Sequence, residues 1–283
     1  MSDEKSTPEV VENSEASKPE SAPPENAKKN EVIHTDIVGK KVFFVFPTAY
    51  VQNQVITELV QHEYEVYVSK DPKRLAHALK KYPDSVVFTN IDEGMHEPEW
   101  EKWIHTLMSA LPEISMGVFS TNSDEKIQEK YINVLKIKCG YYNSKLDMSK
   151  TTTKILDVLE SMNVKGRRKY LRANTEAESV ATINMPVSSG FAKGTVRDVS
   201  VVGVSCSFEE DIPIHKNELI KDIQIRLQTM LLKAEAVVFG SRLDGHEKIY
   251  VLIFTQRIDP EVKIKIRKYI QQNLQHKIER EIN

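Results

Sequence analysis

Residues 165–172 read KGRRKYLR, which places three arginines and two lysines in eight positions. Arg167, Arg168 and Arg172 each offer a planar fork of donors that matches a phosphate or a carboxylate with two hydrogen bonds. Taken alone, the run fits a solvated linker, a patch for nucleic acid, or a clamp for one particular anion. The formal net charge of the whole chain is -2. Coating nucleic acid requires a basic excess, so any anion binding here is local. A second polar cluster follows at residues 198–203, DVSVVG. Asp198 and Ser200 lie two apart, which on a strand directs both to one side. Gly203 frees the backbone to turn or to admit a close approach.

The elements around these residues follow from periodicity. From residue 164 onward the chain alternates with period two in SVATINMPV, GFAKGTVRDVS, VGVSCSF, IQIRLQT, LLKAEAVVFG and KIYVLIFTQ. Short polar turns such as SSG and RLDG divide the runs, so the pattern predicts a small antiparallel barrel. Asp259 and Pro260 then open a helix as N-cap and first residue. Val262, Ile266, Ile270, Leu274, Ile278 and Ile282 recur along it at every fourth position. On a helix of 3.6 residues per turn that stripe drifts ~40° per step and winds around the axis. Its first half suits the barrel. Its second half needs another cover, either a second subunit or the upstream part of the chain.

That upstream part has a different rhythm. Apolar runs at KKVFFVF, YEVYV, SVVFTN, ISMGVFS and IKCGYY alternate with helical stripes, among them Val51, Val55, Ile56, Leu59 and Val60, then Trp100, Trp103, Ile104 and Leu107. Asp71 and Pro72 mark one helix start and Ser123 or Asp124 another. Strands alternating with helices predict a parallel sheet covered on both faces. Residues 1–37 are rich in Glu, Ser, Pro, Lys and Asn and have no apolar periodicity, which predicts a disordered tail.

Two resemblances follow from these patterns. The α/β order over residues 38–163 is similar to a response-regulator receiver domain, with a flavodoxin-like parallel sheet. Receivers carry an acidic pair after the first strand, where this chain has Pro47 and Thr48. They carry a phosphoacceptor aspartate at the end of the third strand, where this chain has Thr89 and Asn90, with Asp92 beyond. Ser120 or Thr121 and Lys145 match the usual hydroxyl and lysine. The resemblance therefore implies a pseudo-receiver used for packing or partner contact. Residues 164–283 hold Arg-x-x-x-Arg at Arg168 and Arg172, then Asp-x-Ser-x-x-Gly at Asp198, Ser200 and Gly203, on a barrel-like sequence with a closing helix. This combination resembles the PilZ domain, a receptor for cyclic di-GMP.

The PilZ resemblance implies that Arg168 and Arg172 contact guanine and phosphate, that Asp198 and Ser200 act from the barrel surface, that Arg167 adds a contact, and that Gly203 keeps the backbone accessible. The chemistry is consistent with this. Guanine N7 and O6 accept from an arginine fork. Its N1–H and exocyclic amine donate to a carboxylate. One cyclic di-GMP and an intercalated pair both remain open. The implied protein is a cytoplasmic, non-catalytic effector with no cofactor and no metal, which contacts a protein partner through the receiver-like domain or the C-terminal helix. The alternative is a nucleic-acid-binding adaptor or a ligand-free scaffold. No nucleophile elbow, phosphate-binding loop or dinucleotide turn is present. Asp92, Glu93, His96, Glu97, Glu101 and His105 match no metal-ligand spacing and read as a polar loop that caps a helix. Cys139 and Cys206 are the only cysteines, far apart in sequence, and no apolar run approaches the ~20 residues of a membrane span.

Overall fold

The computed structural model describes residues 39–145, 147–175, 180–188 and 190–282, which belong to one compact unit. The tail expected over 1–37 and the central position of the SSG turn lie outside these residues.

Five short strands come first: β1 (Val42–Val45), β2 (Val66–Ser69), β3 (Val86–Asn90), β4 (Ser115–Ser120) and β5 (Tyr141–Asn143). All pair in parallel, in the order β2-β1-β3-β4-β5. This is the flavodoxin-like order, in which each strand returns through a helix. The helices are α1 (49–61), α2 (Pro72–Leu79), α3 (Glu97–Ala110), α4 (125–134) and α5 (Met148–Ser161). Asp71 accepts from the N–H groups of Lys73 and Arg74 and so caps α2 ahead of its first-turn proline. Asp124, not Ser123, caps α4. Both α1 and α4 contain a π turn, at Gln52–Ile56 and Lys130–Val134, which the apolar spacing did not reveal.

Alternation along β1 explains the two covered faces. Val42 and Phe44 point to a core shared with Val55, Leu59, Ile155 and Leu159. Phe43 and Val45 point to the opposite core, with Leu75, Leu79, Trp100 and Ile104.

The second sheet is antiparallel. It comprises β6 (Ala173–Asn174), β7 (Ala181–Val187), β8 (Gly190–Ser200), β9 (Gly203–Phe208), β10 (Leu219–Leu227), β11 (Met230–Asp244) and β12 (Glu247–Phe254). The order β6-β8-β7-β10-β11-β12-β9 closes on itself because β8 also pairs with β9, making a six-stranded barrel with β6 added outside β8. Ile183, Val196, Ile223, Ile225, Ala236 and Leu252 fill its interior. Both cysteines are free and buried, and burial pushes each thiol up to about 12.

The final helix, α6 (Pro260–Ile282), begins where Asp259 accepts from the N–H of Glu261. It is shared between the two cores. Ile266, Tyr269 and Ile270 enter the barrel core, Leu274 touches both cores, and Ile278 enters the core of the parallel sheet. Of the two covers expected for the second half of the stripe, the chain itself provides one. The side chain of Ile282 lies outside the described residues. The Gln275 amide donates to the carbonyl of Val68 and accepts its N–H, both at 2.9 Å, which satisfies backbone groups on the open edge of β2. Tyr82 donates to Glu281 at 2.6 Å near the helix end. No helix among the described residues is long and apolar enough to cross a membrane.

Candidate functional site

Asp198 and Ser200 stand at the end of β8. The register between β8 and β9 shifts between Val196 and Asp198, a bulge that leaves Val196 and Val199 both in the barrel core. Arg197 and Asp198 are thereby left side by side and partly exposed. Arg197 pairs with Glu247 on β12, whose carboxyl is held below its ordinary value by hydrogen bonds from Arg197 and Ser207. Asp198 lies opposite Ser205 in the ladder and accepts its hydroxyl hydrogen bond. The Asp198 side chain keeps 26% of its surface exposed. Its charge adds to the burial that raises the Cys206 thiol.

Arg172 reaches this carboxylate from the other side. β6 pairs with β8 so that Asn174 lies opposite Asp198. Arg172 precedes Asn174 by two positions, the spacing that keeps side chains on one face of an extended chain. Its Nη1 lies 3.6 Å from Asp198 Oδ1, and the arginine remains 53% exposed. Two residues distant in sequence and opposite in charge thus meet at an open position on the barrel wall. This geometry presents a carboxylate acceptor and a guanidinium donor to solvent together.

Arg167 and Arg168 are exposed on the preceding strap. Arg167 lines a shallow surface cleft of about 300 Å³ with Gly39, Lys40, Asp84, Asn163 and Lys165. The strap is fastened at both ends. At its start, Lys165 bridges Gly39, the N–H of Lys40 donates to Val164 O at 2.8 Å, and the Lys165 ammonium lies 4.5 Å from the centre of the Tyr64 ring. At its end, the N–H of Leu171 donates to Glu63 Oε2 at 3.0 Å. Glu63 Oε1 accepts from Arg267 Nε of α6 at 2.9 Å.

Ser200 and Gly203 occupy a different setting. They pair across the two-residue Val201–Val202 turn. The Ser200 hydroxyl is buried, donates to Gly203 O at 3.2 Å and accepts from the Val202 N–H at 3.4 Å. Its single O–H is therefore used inside the turn. A Cβ on Gly203 would fall 2.3 Å from the carbonyl oxygen of Leu252 on β12, so glycine is needed for close approach of two strands. Gly203→Ala is expected to destabilise the protein by about 1–3 kcal/mol through forced strand separation. A thermal midpoint equal to that of the unaltered chain would show that β9 shifts freely.

At the carboxyl edge of the parallel sheet, where open α/β sheets bind ligands, the groups that follow β1 and β3 are engaged in internal contacts. The Phe46 ring packs on Gly94, where a Cβ would lie 2.4 Å from it. Asn90 Nδ2 donates to Phe46 O at 2.9 Å. Asp92 accepts from the Ser120 hydroxyl and the Thr121 N–H, both at 2.6 Å. Glu97 and Glu101, at 2.7 and 2.9 Å, hold Lys130 of α4. Among the described residues no group of His, Cys, Asp and Glu is arranged to hold a metal.

Sequence reasoning missed Ser205 and Glu63. Ser205 lies in the alternating run VGVSCSF, and only the β8–β9 register reveals its partner. Glu63 follows a helix that is remote in sequence from the strap, with no local motif around it.

No protein-family model matches the chain, and no curated protein matches it. Solved structures similar in fold to parts of the chain include a PilZ domain and a signal receiver domain. The PilZ domain of YcgR from Escherichia coli, solved with c-di-GMP, is 16% identical, with 41% of this chain and 93% of that chain covered at a TM-score of 0.32. The K. pneumonia MrkH–c-di-GMP complex is 17% identical, covering 42% of this chain and 57% of that chain at a TM-score of 0.36. A response regulator from Thermotoga maritima is 17% identical, covering 44% of this chain and 99% of that chain at a TM-score of 0.36.

Proposed function

We propose that the chain is a non-catalytic receptor for cyclic di-GMP, built from a receiver-like domain over 38–163 and a PilZ-type barrel with its helix over 164–283. The observation that carries this reading is the meeting of Arg172 and Asp198 on the barrel wall, beside a strap that displays Arg167 and Arg168. Cyclic di-GMP requires both kinds of group. Its guanines donate through N1–H and the amine to a carboxylate and accept at N7 and O6 from a guanidinium. Its phosphates accept a second arginine fork. The loose Arg172–Asp198 pair separates readily, because an exposed ion pair of this kind contributes at most about 1 kcal/mol.

Ligand bridging the strap arginines and Asp198 adds a link between the barrel and a strap that stays fastened to the receiver-like sheet, and so changes how the receiver-like domain sits against the barrel and the surface offered to a partner protein. A ligand shifts such an equilibrium only by its different affinity for the two arrangements.

Fluorescence anisotropy with labelled cyclic di-GMP tests the assignment. Arg168→Ala and Arg172→Ala are each expected to weaken binding about tenfold or more, the value of one good bidentate contact. Binding that survives both substitutions and falls steeply with salt would instead indicate diffuse attraction to polyanions.

A further inference from the structure

Glu63 stands at the residue after the C-cap of α1, with a backbone φ of +62°. The N–H of Tyr64 donates to Leu59 O and that of Glu63 to Val60 O, the paired bonds of a Schellman ending. Glycine is the residue that this left-handed position favours. A glutamate here brings a carboxylate at a conformational cost, and the carboxylate is almost fully covered, with 9% of the side chain exposed. It takes two donors from two other parts of the chain: the backbone N–H of Leu171 and the guanidinium of Arg267.

We infer that Glu63 is a positioning residue for the nucleotide site, and that one task of the receiver-like sheet is to hold the arginine strap in its binding arrangement. The inference rests on the receptor reading above. Residues 166–170 form a short loop whose two ends, Lys165 and Leu171, are both fastened to the parallel-sheet part of the chain. Leu171 directly precedes Arg172, so the bond to Glu63 fixes the backbone that carries Arg172 to Asp198. Tyr170 and Leu171 also pack against the barrel core. A free strap would have to be ordered when ligand arrives, and that entropy would be subtracted from affinity; a fastened strap has already lost it.

The test uses the full chain with Glu63→Gly, Glu63→Gln and Arg267→Met. Glycine suits the left-handed backbone while removing the carboxylate, so the helix ending is kept. Trypsin cleaves after lysine and arginine, and its rate within KGRRKYLR reads strap order without any ligand. Glu63→Gly is expected to speed this cleavage severalfold and to weaken cyclic di-GMP binding about tenfold. Glu63→Gln keeps an oxygen for the Leu171 N–H and is expected to restore most of both. Arg267→Met leaves that bond in place and is expected to change affinity less than twofold. Unchanged cleavage in Glu63→Gly overturns the tether. Faster cleavage with equal or tighter binding overturns its positioning role. Failure of the unaltered chain to bind counts against the receptor reading, while the cleavage rates still decide whether Glu63 holds the strap.

Discussion

Asp198→Asn is expected to weaken cyclic di-GMP binding about a hundredfold while the barrel stays folded. The carboxylate offers two acceptor oxygens, one toward the Ser205 hydroxyl and one toward Arg172. An asparagine carbonyl still accepts from Ser205, so the β8–β9 contact survives. The amide NH₂ then faces the ligand, where guanine also presents donors. A donor left unpaired in a covered contact costs about 1–3 kcal/mol, and the lost guanine pairing is of similar size. Together these approach the ~2.8 kcal/mol of a hundredfold change. Titration of the variant beside its thermal midpoint checks both halves. Affinity equal to that of the unaltered chain would remove Asp198 from the site. Loss of the midpoint would assign it a structural role.

Ile278→Ala is expected to cost about 2–5 kcal/mol, the range for truncating a buried isoleucine. Ile278 is 4% exposed and belongs to the cluster that includes Phe43, Tyr67, Leu75 and Leu79. Yet it sits on the helix whose first half fills the barrel. The loss should therefore appear at the edge of the parallel sheet, where Gln275 bonds Val68, and spare the barrel. Hydrogen exchange separates the two: the Val68 amide should exchange faster, and amides of β10 and β11 should keep their protection. A cost below about 0.5 kcal/mol, as for a surface change, would mean that α6 does not join the two cores.

Much of this architecture was legible in the sequence because it rests on local periodicity. GFAKGTVRDVS coincides with β8, and Asp71–Pro72 and Asp259–Pro260 mark helix starts by capping chemistry alone. The stripe of α6 announced that its second half needed a cover, but periodicity does not say which surface supplies it. Asp198 and Arg172 could be paired by motif because their chemistry is complementary. Ser200 and Gly203 belong to the same motif, yet their roles depend on the tight turn and on Leu252 across the ladder, contacts that spacing along one strand does not encode. The same limit hid Glu63. Its partners, Leu171 and Arg267, are remote in sequence, and a glutamate among the polar residues of QHEYE carries no signal of its own. The acidic and histidine-bearing loop around Asp92 also found its meaning in packing: its carboxylates hold Ser120, Thr121 and Lys130.

The strap arginines and Asp198 are proposed to form one receptor site for cyclic di-GMP. Isothermal calorimetry of the full chain with unlabelled cyclic di-GMP, beside GTP and cyclic di-AMP, tests it most directly. Saturable binding of cyclic di-GMP alone, at one or two ligands per chain, is the expected result. Equal heats from all three nucleotides, or none from cyclic di-GMP, would contradict it and leave KGRRKYLR as a solvated strap.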